Sequence, residues 1–77
     1  MTNAKTVAEY MTFELKRRGG VLYQYDIADR IIQRFGREFV ASGPGPCVKI
    51  RKDVLRAFRA MNPDTVWDLN IFGWHLK

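Results

Sequence analysis

Apolar residues recur at helical spacing in three separate segments of this chain, and each segment is followed by residues that disfavour a helix. The spacing predicts helices over about residues 6–18, 26–35 and 51–61. The first segment is followed by Gly19-Gly20, the second by Gly36 and the third by Asn62-Pro63. Glycine ends a helix because it adopts the left-handed conformation, and proline excludes the preceding residue from the helical region. The first helix should begin with a capping box between Thr6 and Glu9.

The segments between and after the helices have the composition of short β-strands. Residues 21–24, VLYQ, predict a short strand that would pair with a later one. Residues 37–50 contain EFVA and CVKI around SGPGP, which predicts a short hairpin with an irregular loop. The C-terminal TVWDLNIFGWHLK alternates, and a turn at residues 69–70, where asparagine tolerates positive φ, would pair Trp67 with Phe72. The predicted class is α+β, with three helices, a C-terminal β-hairpin and an extra short hairpin between the second and third helices.

Composition restricts the class of protein further. Residues 1–77 are expected to form a single small domain, and the hydrophobic fraction of 47% favours a packed core over disorder. One cysteine excludes an internal disulfide and a cysteine-based zinc cluster, and it is typical of a reducing compartment. No apolar run marks a secretion signal or a membrane span, so a cytoplasmic protein without membrane insertion is expected. His75 lacks partners for catalysis or metal binding, so we expect no enzyme, no metal site and no cofactor.

The basic residues of the third predicted helix carry the strongest functional signal. The net charge is +5, which favours an anionic partner. Lys52, Arg56 and Arg59 are spaced i, i+4 and i+7, so they form a basic stripe opposite the apolar side. Arginine binds a phosphate or a guanine edge through two hydrogen bonds, which makes this stripe a candidate nucleic-acid contact. The alternative is a solvated helix face in which Asp53 pairs with Arg56.

The order of elements resembles that of a winged-helix domain. The segments AEYM, LYQ, RFGREFV, VLRAF and VW…W are also similar to a family of small uncharacterised bacterial proteins with this architecture. In winged-helix DNA binders the third helix enters the major groove, and the C-terminal hairpin, the wing, contacts the backbone or the minor groove. The resemblance implies that the basic stripe faces double-stranded DNA, with Asn70, His75 and Lys77 on the wing. The hairpin predicted at 37–50 departs from the usual tight turn, and it would shield the third helix if it covered the stripe.

A protein-interaction module on the same scaffold is the alternative function. Phe13 lies nearly opposite the apolar stripe of the first helix, where an aromatic side chain either anchors a partner or remains a single exposed residue. Ile71 falls at the tip of the C-terminal hairpin. If the two were exposed and close together, they would support a protein partner or a weak homodimer. The sequence favours a module that binds nucleic acid, with double-stranded DNA as the ligand, over this protein-binding alternative.

The apolar stripes and the aromatic face of the C-terminal hairpin predict the core. Both tryptophans are included because each buries about 150–250 Å², which a domain this small needs. The predicted core consists of Val7, Met11, Leu15, Ile27, Ile31, Phe35, Val54, Phe58, Trp67 and Trp74.

Overall fold

The computed structural model describes residues 3–42 and 48–76. Within them the chain forms three α-helices, five β-strands and one 3-10 turn at Arg37–Phe39. The predicted α+β class is confirmed, together with both hairpins. No helix among the described residues has the length and apolar character needed to cross a membrane. The elements are α1 Ala4–Arg17, β1 Val21–Tyr23, α2 Gln24–Phe35, β2 Val40–Ser42, β3 Val48–Ile50, α3 Lys52–Met61, β4 Thr65–Asp68 and β5 Gly73–Leu76.

Helix α1 begins earlier than predicted because Asn3, not Thr6, caps it. The Asn3 Oδ1 atom accepts a hydrogen bond from the backbone N–H of Thr6 at 3.0 Å and another from the Thr6 hydroxyl at 3.2 Å. Asparagine is as favourable at this position as serine or aspartate. The predicted capping box between Thr6 and Glu9 is therefore wrong, and both residues lie inside the helix.

The C-terminal hairpin and β1 form an antiparallel sheet in the order β1-β5-β4. Trp67 pairs with Trp74, so the predicted pairing of Trp67 with Phe72 is wrong by two residues. The Asp68 carboxylate accepts a hydrogen bond from the N–H of Asn70 at 2.9 Å, and the turn spans four residues. Phe72, with φ of 52°, takes the left-handed position that was predicted for Asn70. A shift of two residues preserves the predicted faces, whereas a shift of one would reverse them.

The core lies between the three helices and one face of the three-stranded sheet. Eight of the ten predicted core residues are buried, including Phe58 at 0% and Trp74 at 4% exposure. Phe35 is only partly buried at the end of α2. Trp67 is 39% exposed because β4 is an edge strand, so its predicted burial is wrong. The core is completed by residues outside the predicted set, which are Ala8, Leu22, Ala28, Phe39 and Ile50.

A buried glutamate joins the end of α1 to the start of α2. Glu14 is 4% exposed, and its carboxylate accepts hydrogen bonds from Arg17 at 2.9 and 3.1 Å and from Arg18 at 3.3 Å. Arg18 also forms an ion pair with Asp26 on α2. Burial raises the pKa of Glu14, but the hydrogen bonds and charges of the two arginines outweigh it and hold the pKa below the ordinary value. The network therefore stabilises the contact between the helices while Glu14 is ionised.

Acid is expected to weaken this network. Because the pKa of Glu14 is lower in the folded chain than in the unfolded chain, the unfolded chain binds the proton first as the pH falls. The free energy of unfolding should therefore decline as the pH falls from 4.5, the ordinary value, towards the lower pKa of the folded state. Above this window the contribution should be intact. Glu14→Gln should flatten this part of the pH dependence in urea unfolding, and an unchanged slope would contradict the assignment.

Candidate nucleic-acid interface

The basic stripe of α3 faces solvent. Lys52, Arg56 and Arg59 are all exposed, while Val54 and Phe58 on the opposite side of the helix are fully buried. The apolar side packs against α1. The helix therefore presents three of the predicted site residues together on one exposed surface.

The acidic residue of α3, Asp53, is bound by an arginine outside the stripe. Asp53 accepts hydrogen bonds from Arg51 at 2.6 and 3.1 Å. The expected pairing of Asp53 with Arg56 is therefore wrong, and a solvated helix face stays the alternative. Arg51 reaches Asp53 because it immediately precedes α3, where its side chain turns back over the first helical residues. Among the described residues, none forms an ion pair with the three cations of the stripe.

The short β2–β3 hairpin packs on α2 and leads into the start of α3. Its strands contact α2, and its base is joined to α3 through Arg51. The backbone N–H of Arg51 donates to the Phe39 carbonyl at 3.0 Å, and its guanidinium donates to the Glu38 carbonyl at 3.0 Å. The described part of the hairpin therefore leaves the basic stripe exposed. Residues 43–47, which include the GPGP segment, lie outside the described residues.

A groove beside the stripe was not predicted from the sequence. Its volume is about 350 Å³, and Arg59 belongs both to the stripe and to its wall. Leu55, assigned by the sequence to the apolar side of α3, is only partly buried here. Leu55 lies at the border between the apolar and the basic sides of the helix, and this position could have indicated its partial exposure. The tryptophan groove is lined by Gln24, Leu55, Arg59, Thr65, Trp67 and Trp74.

The indole of Trp67 is held at this groove by neighbouring rings. Its centroid lies 4.8 Å from that of Trp74 and 5.4 Å from that of Phe72, and both contacts are edge-to-face. Trp74 in turn packs edge-on against the buried Phe58, with centroids 5.6 Å apart. The rings connect the core to the surface, so Trp67 combines partial exposure with a fixed orientation.

The structure describes two of the three predicted wing residues, Asn70 and His75. Asn70 is exposed in the turn between β4 and β5. His75 lies on β5 with its Nε2 atom 3.2 Å from an Asp68 oxygen, so this residue is engaged within the hairpin. Lys77 lies outside the described residues. Asn70 and Trp67 are thus exposed on the hairpin, and a wing contact by Lys77 stays a prediction.

Comparison with known proteins assigns the chain to a family but not to an activity. The model of a protein family of unknown function matches residues 3–76. The chain belongs to the family DUF6953. Neither a curated protein nor a solved structure matches it. The DUF6953 assignment supports the resemblance to an uncharacterised family, and any function must be inferred from the surface.

The two candidate protein contacts of this DUF6953 chain line different depressions. Phe13 is 61% exposed and lies beside Glu9, Tyr10 and Arg34. Ile71 is partly buried, in an apolar depression of about 600 Å³ that it shares with other residues of β1, α2 and the turn. The condition for a shared contact, that Phe13 and Ile71 be exposed and close together, is therefore not met. The residues around Ile71 are Tyr23, Tyr25, Asp26 and Phe72.

Proposed function

We propose that this protein binds nucleic acid, with double-stranded DNA as the ligand, through the basic stripe of α3. The observation that carries the proposal is that Lys52, Arg56 and Arg59 are exposed and form no ion pair among the described residues. The neighbouring Asp53 is already bound by Arg51. Cations in this state neutralise phosphates and release the counterions condensed on DNA, which supplies much of the affinity. We propose a binding role in the cytoplasm, without catalysis or a cofactor.

The winged-helix resemblance gives this proposal a geometry. Helix α3 has ten residues, so it is about 15 Å long, and the major groove of DNA, about 12 Å wide, admits a helix. The C-terminal hairpin follows α3 and is anchored by its pairing with β1. In this arrangement α3 would insert into the groove and Asn70 would reach the backbone as part of the wing. The β2–β3 hairpin would lie at the N-terminal end of α3 rather than across its basic stripe.

The dependence of affinity on salt tests the stripe directly. Each lysine or arginine that neutralises a phosphate adds about 0.9 to the slope of log affinity against log salt. The double variant Arg56→Ala and Arg59→Ala should therefore flatten this slope by nearly two units if both residues contact phosphates. The measurement is fluorescence anisotropy with a random-sequence duplex over a salt series. Both side chains are exposed, so the variant should fold like the parent.

The double variant Arg30→Ala and Arg34→Ala on α2 is the matched control. It removes the same charge from exposed positions i and i+4. The variant loses the ion pair between Arg30 and Asp26 and the contacts of Arg34 with the Tyr10 and Phe35 rings, 5.1 and 5.7 Å from their centroids. Because both arginines are exposed, each of these losses should be worth about 1 kcal/mol or less. We expect a smaller change of slope than for the α3 pair. Equal losses from the two pairs would mean diffuse attraction, and an absence of binding by the parent at low salt would exclude the proposed function.

Protein binding is the second candidate function. The observation that favours it is the apolar depression around Ile71, where Tyr23, Tyr25 and Phe72 are all exposed. Aromatic residues are enriched in protein interfaces because they bury a large area at a small cost in conformational entropy. Phe13 is flanked by charged side chains and offers a smaller apolar surface. On this second candidate function, the protein partner would bind at the Ile71 depression.

A further inference from the structure

We propose that the tryptophan groove holds one unpaired base at the end of a DNA duplex. The proposal rests on the proposed function, since Arg59 would contribute to both sites. In it, the basic stripe contacts the duplex, and the first nucleotide of a single-stranded overhang places its base against Trp67 and its phosphate near Arg59. The expected ligand is therefore a duplex with an overhang rather than a blunt duplex.

The state of Trp67 suits it to stacking. Trp67 is 39% exposed, whereas Trp74 behind it is 4% exposed. Contacts with Trp74 and Phe72 fix the orientation of the ring before a ligand arrives. A base that stacks on a fixed ring costs less side-chain entropy than one that must order a mobile ring. Stacking of this kind tolerates any base, because every base presents a flat aromatic face.

The charge and polarity of the wall distinguish a nucleotide from an apolar peptide side chain. A leucine side chain could contact Leu55 and Trp67, but it would offer nothing to the cation of Arg59. A phenylalanine side chain would offer Arg59 a ring face but no negative charge. A nucleotide supplies both a ring and a phosphate, and the cationic stripe continues from Arg59 to Arg56. The groove volume of about 350 Å³ is at the lower end of sites for small molecules.

The experiment compares the affinities for a blunt duplex, a duplex with an overhang and a duplex with an abasic overhang. The blunt duplex carries one added 5′-terminal phosphate, so that all three ligands have the same number of phosphates. The parent should bind the natural overhang about tenfold more tightly than the other two, as expected for one stacked base. Intrinsic tryptophan fluorescence should be quenched by the natural overhang alone. Equal affinity for natural and abasic overhangs would overturn the proposal.

Variants identify the groove as the source of the preference. Trp67→Leu should bind all three duplexes with the affinity of the parent for the blunt one, whereas Trp67→Phe, which keeps a ring, should retain part of the preference. Tyr25→Leu, which removes an exposed aromatic ring outside the groove, should retain all of it. Retention of the full preference by Trp67→Leu would overturn the proposal. Blunt-duplex binding without an overhang preference would refute this inference alone, and no binding to any duplex would refute the proposed function as well.

Discussion

Replacing Phe58 with alanine is expected to lower the free energy of unfolding by about 3–5 kcal/mol. Phe58 is fully buried on the apolar side of α3 and packs edge-on against Trp74. Its removal loses apolar burial and leaves a cavity between the helix and the sheet. For a chain of 77 residues this loss is a large part of a total stability of roughly 4–12 kcal/mol. Urea unfolding followed by circular dichroism measures the change.

Phe13→Ala deletes the same atoms from an exposed position and serves as the control. Phe13 is 61% exposed on α1, so its loss should change the free energy of unfolding by about 0.5 kcal/mol or less. The difference between the two variants then isolates the contribution of burial. Equal losses would mean that the apolar side of α3 does not face the core. In that case the basic stripe would not face solvent either.

Gly73→Ala is expected to cost about 1–3 kcal/mol or more, although it adds a single methyl group. A Cβ at Gly73 would overlap the carbonyl oxygen of Leu22 and lie 2.9 Å from the Cα of Tyr23. Both atoms belong to the backbone of β1, so the strand must move away from β5 to make room. The hydrogen bond from the Gln24 N–H to the Phe72 carbonyl, 3.1 Å long, lies at this point. Hydrogen exchange of the Gln24 amide should therefore accelerate together with the loss of stability.

Gly19→Ala separates this overlap from backbone strain. Gly19 has φ of 76°, and an added Cβ would meet no atom within 4 Å. Alanine in that conformation should cost about 1–2 kcal/mol through strain alone. Hydrogen exchange of the Gln24 amide in Gly19→Ala should accelerate only as far as the loss of global stability explains. A specific acceleration at Gln24 in Gly19→Ala, or none in Gly73→Ala, would contradict the proposed contact between β1 and β5.

The helices and the fold class could be predicted because they depend on local patterns. Apolar spacing fixed the buried sides of all three helices, so Val7, Ile31 and Phe58 are buried as predicted. The cap of α1 was mispredicted because Asn3 and Thr6 are both favourable caps, and spacing alone does not choose between them. The hairpin register depended on the bond from Asn70 to Asp68, which lengthens the turn while preserving its faces.

The candidate interface could be predicted only in part, because some of its residues are brought together only by the packing of separate helices and strands. Lys52, Arg56 and Arg59 lie on one helix, and their common exposure follows from spacing. The tryptophan groove instead combines residues of α2, α3 and the hairpin, and its existence depends on how these elements pack. The exposure of Trp67 likewise depends on the position of β4 at the sheet edge. Periodicity indicates the face of a strand but not whether a neighbouring element covers it.

Nuclear magnetic resonance mapping of the surface that contacts DNA tests the central claim most directly. A blunt duplex would be added at low salt to uniformly ¹⁵N-labelled protein, and the backbone amides and arginine Nε resonances would be followed. We expect the largest shifts in α3 from Lys52 to Arg59, including the Nε resonances of Arg56 and Arg59, with α1 near Phe13 unchanged. Unperturbed α3 resonances, with shifts confined to the residues around Ile71 or absent altogether, would contradict the account.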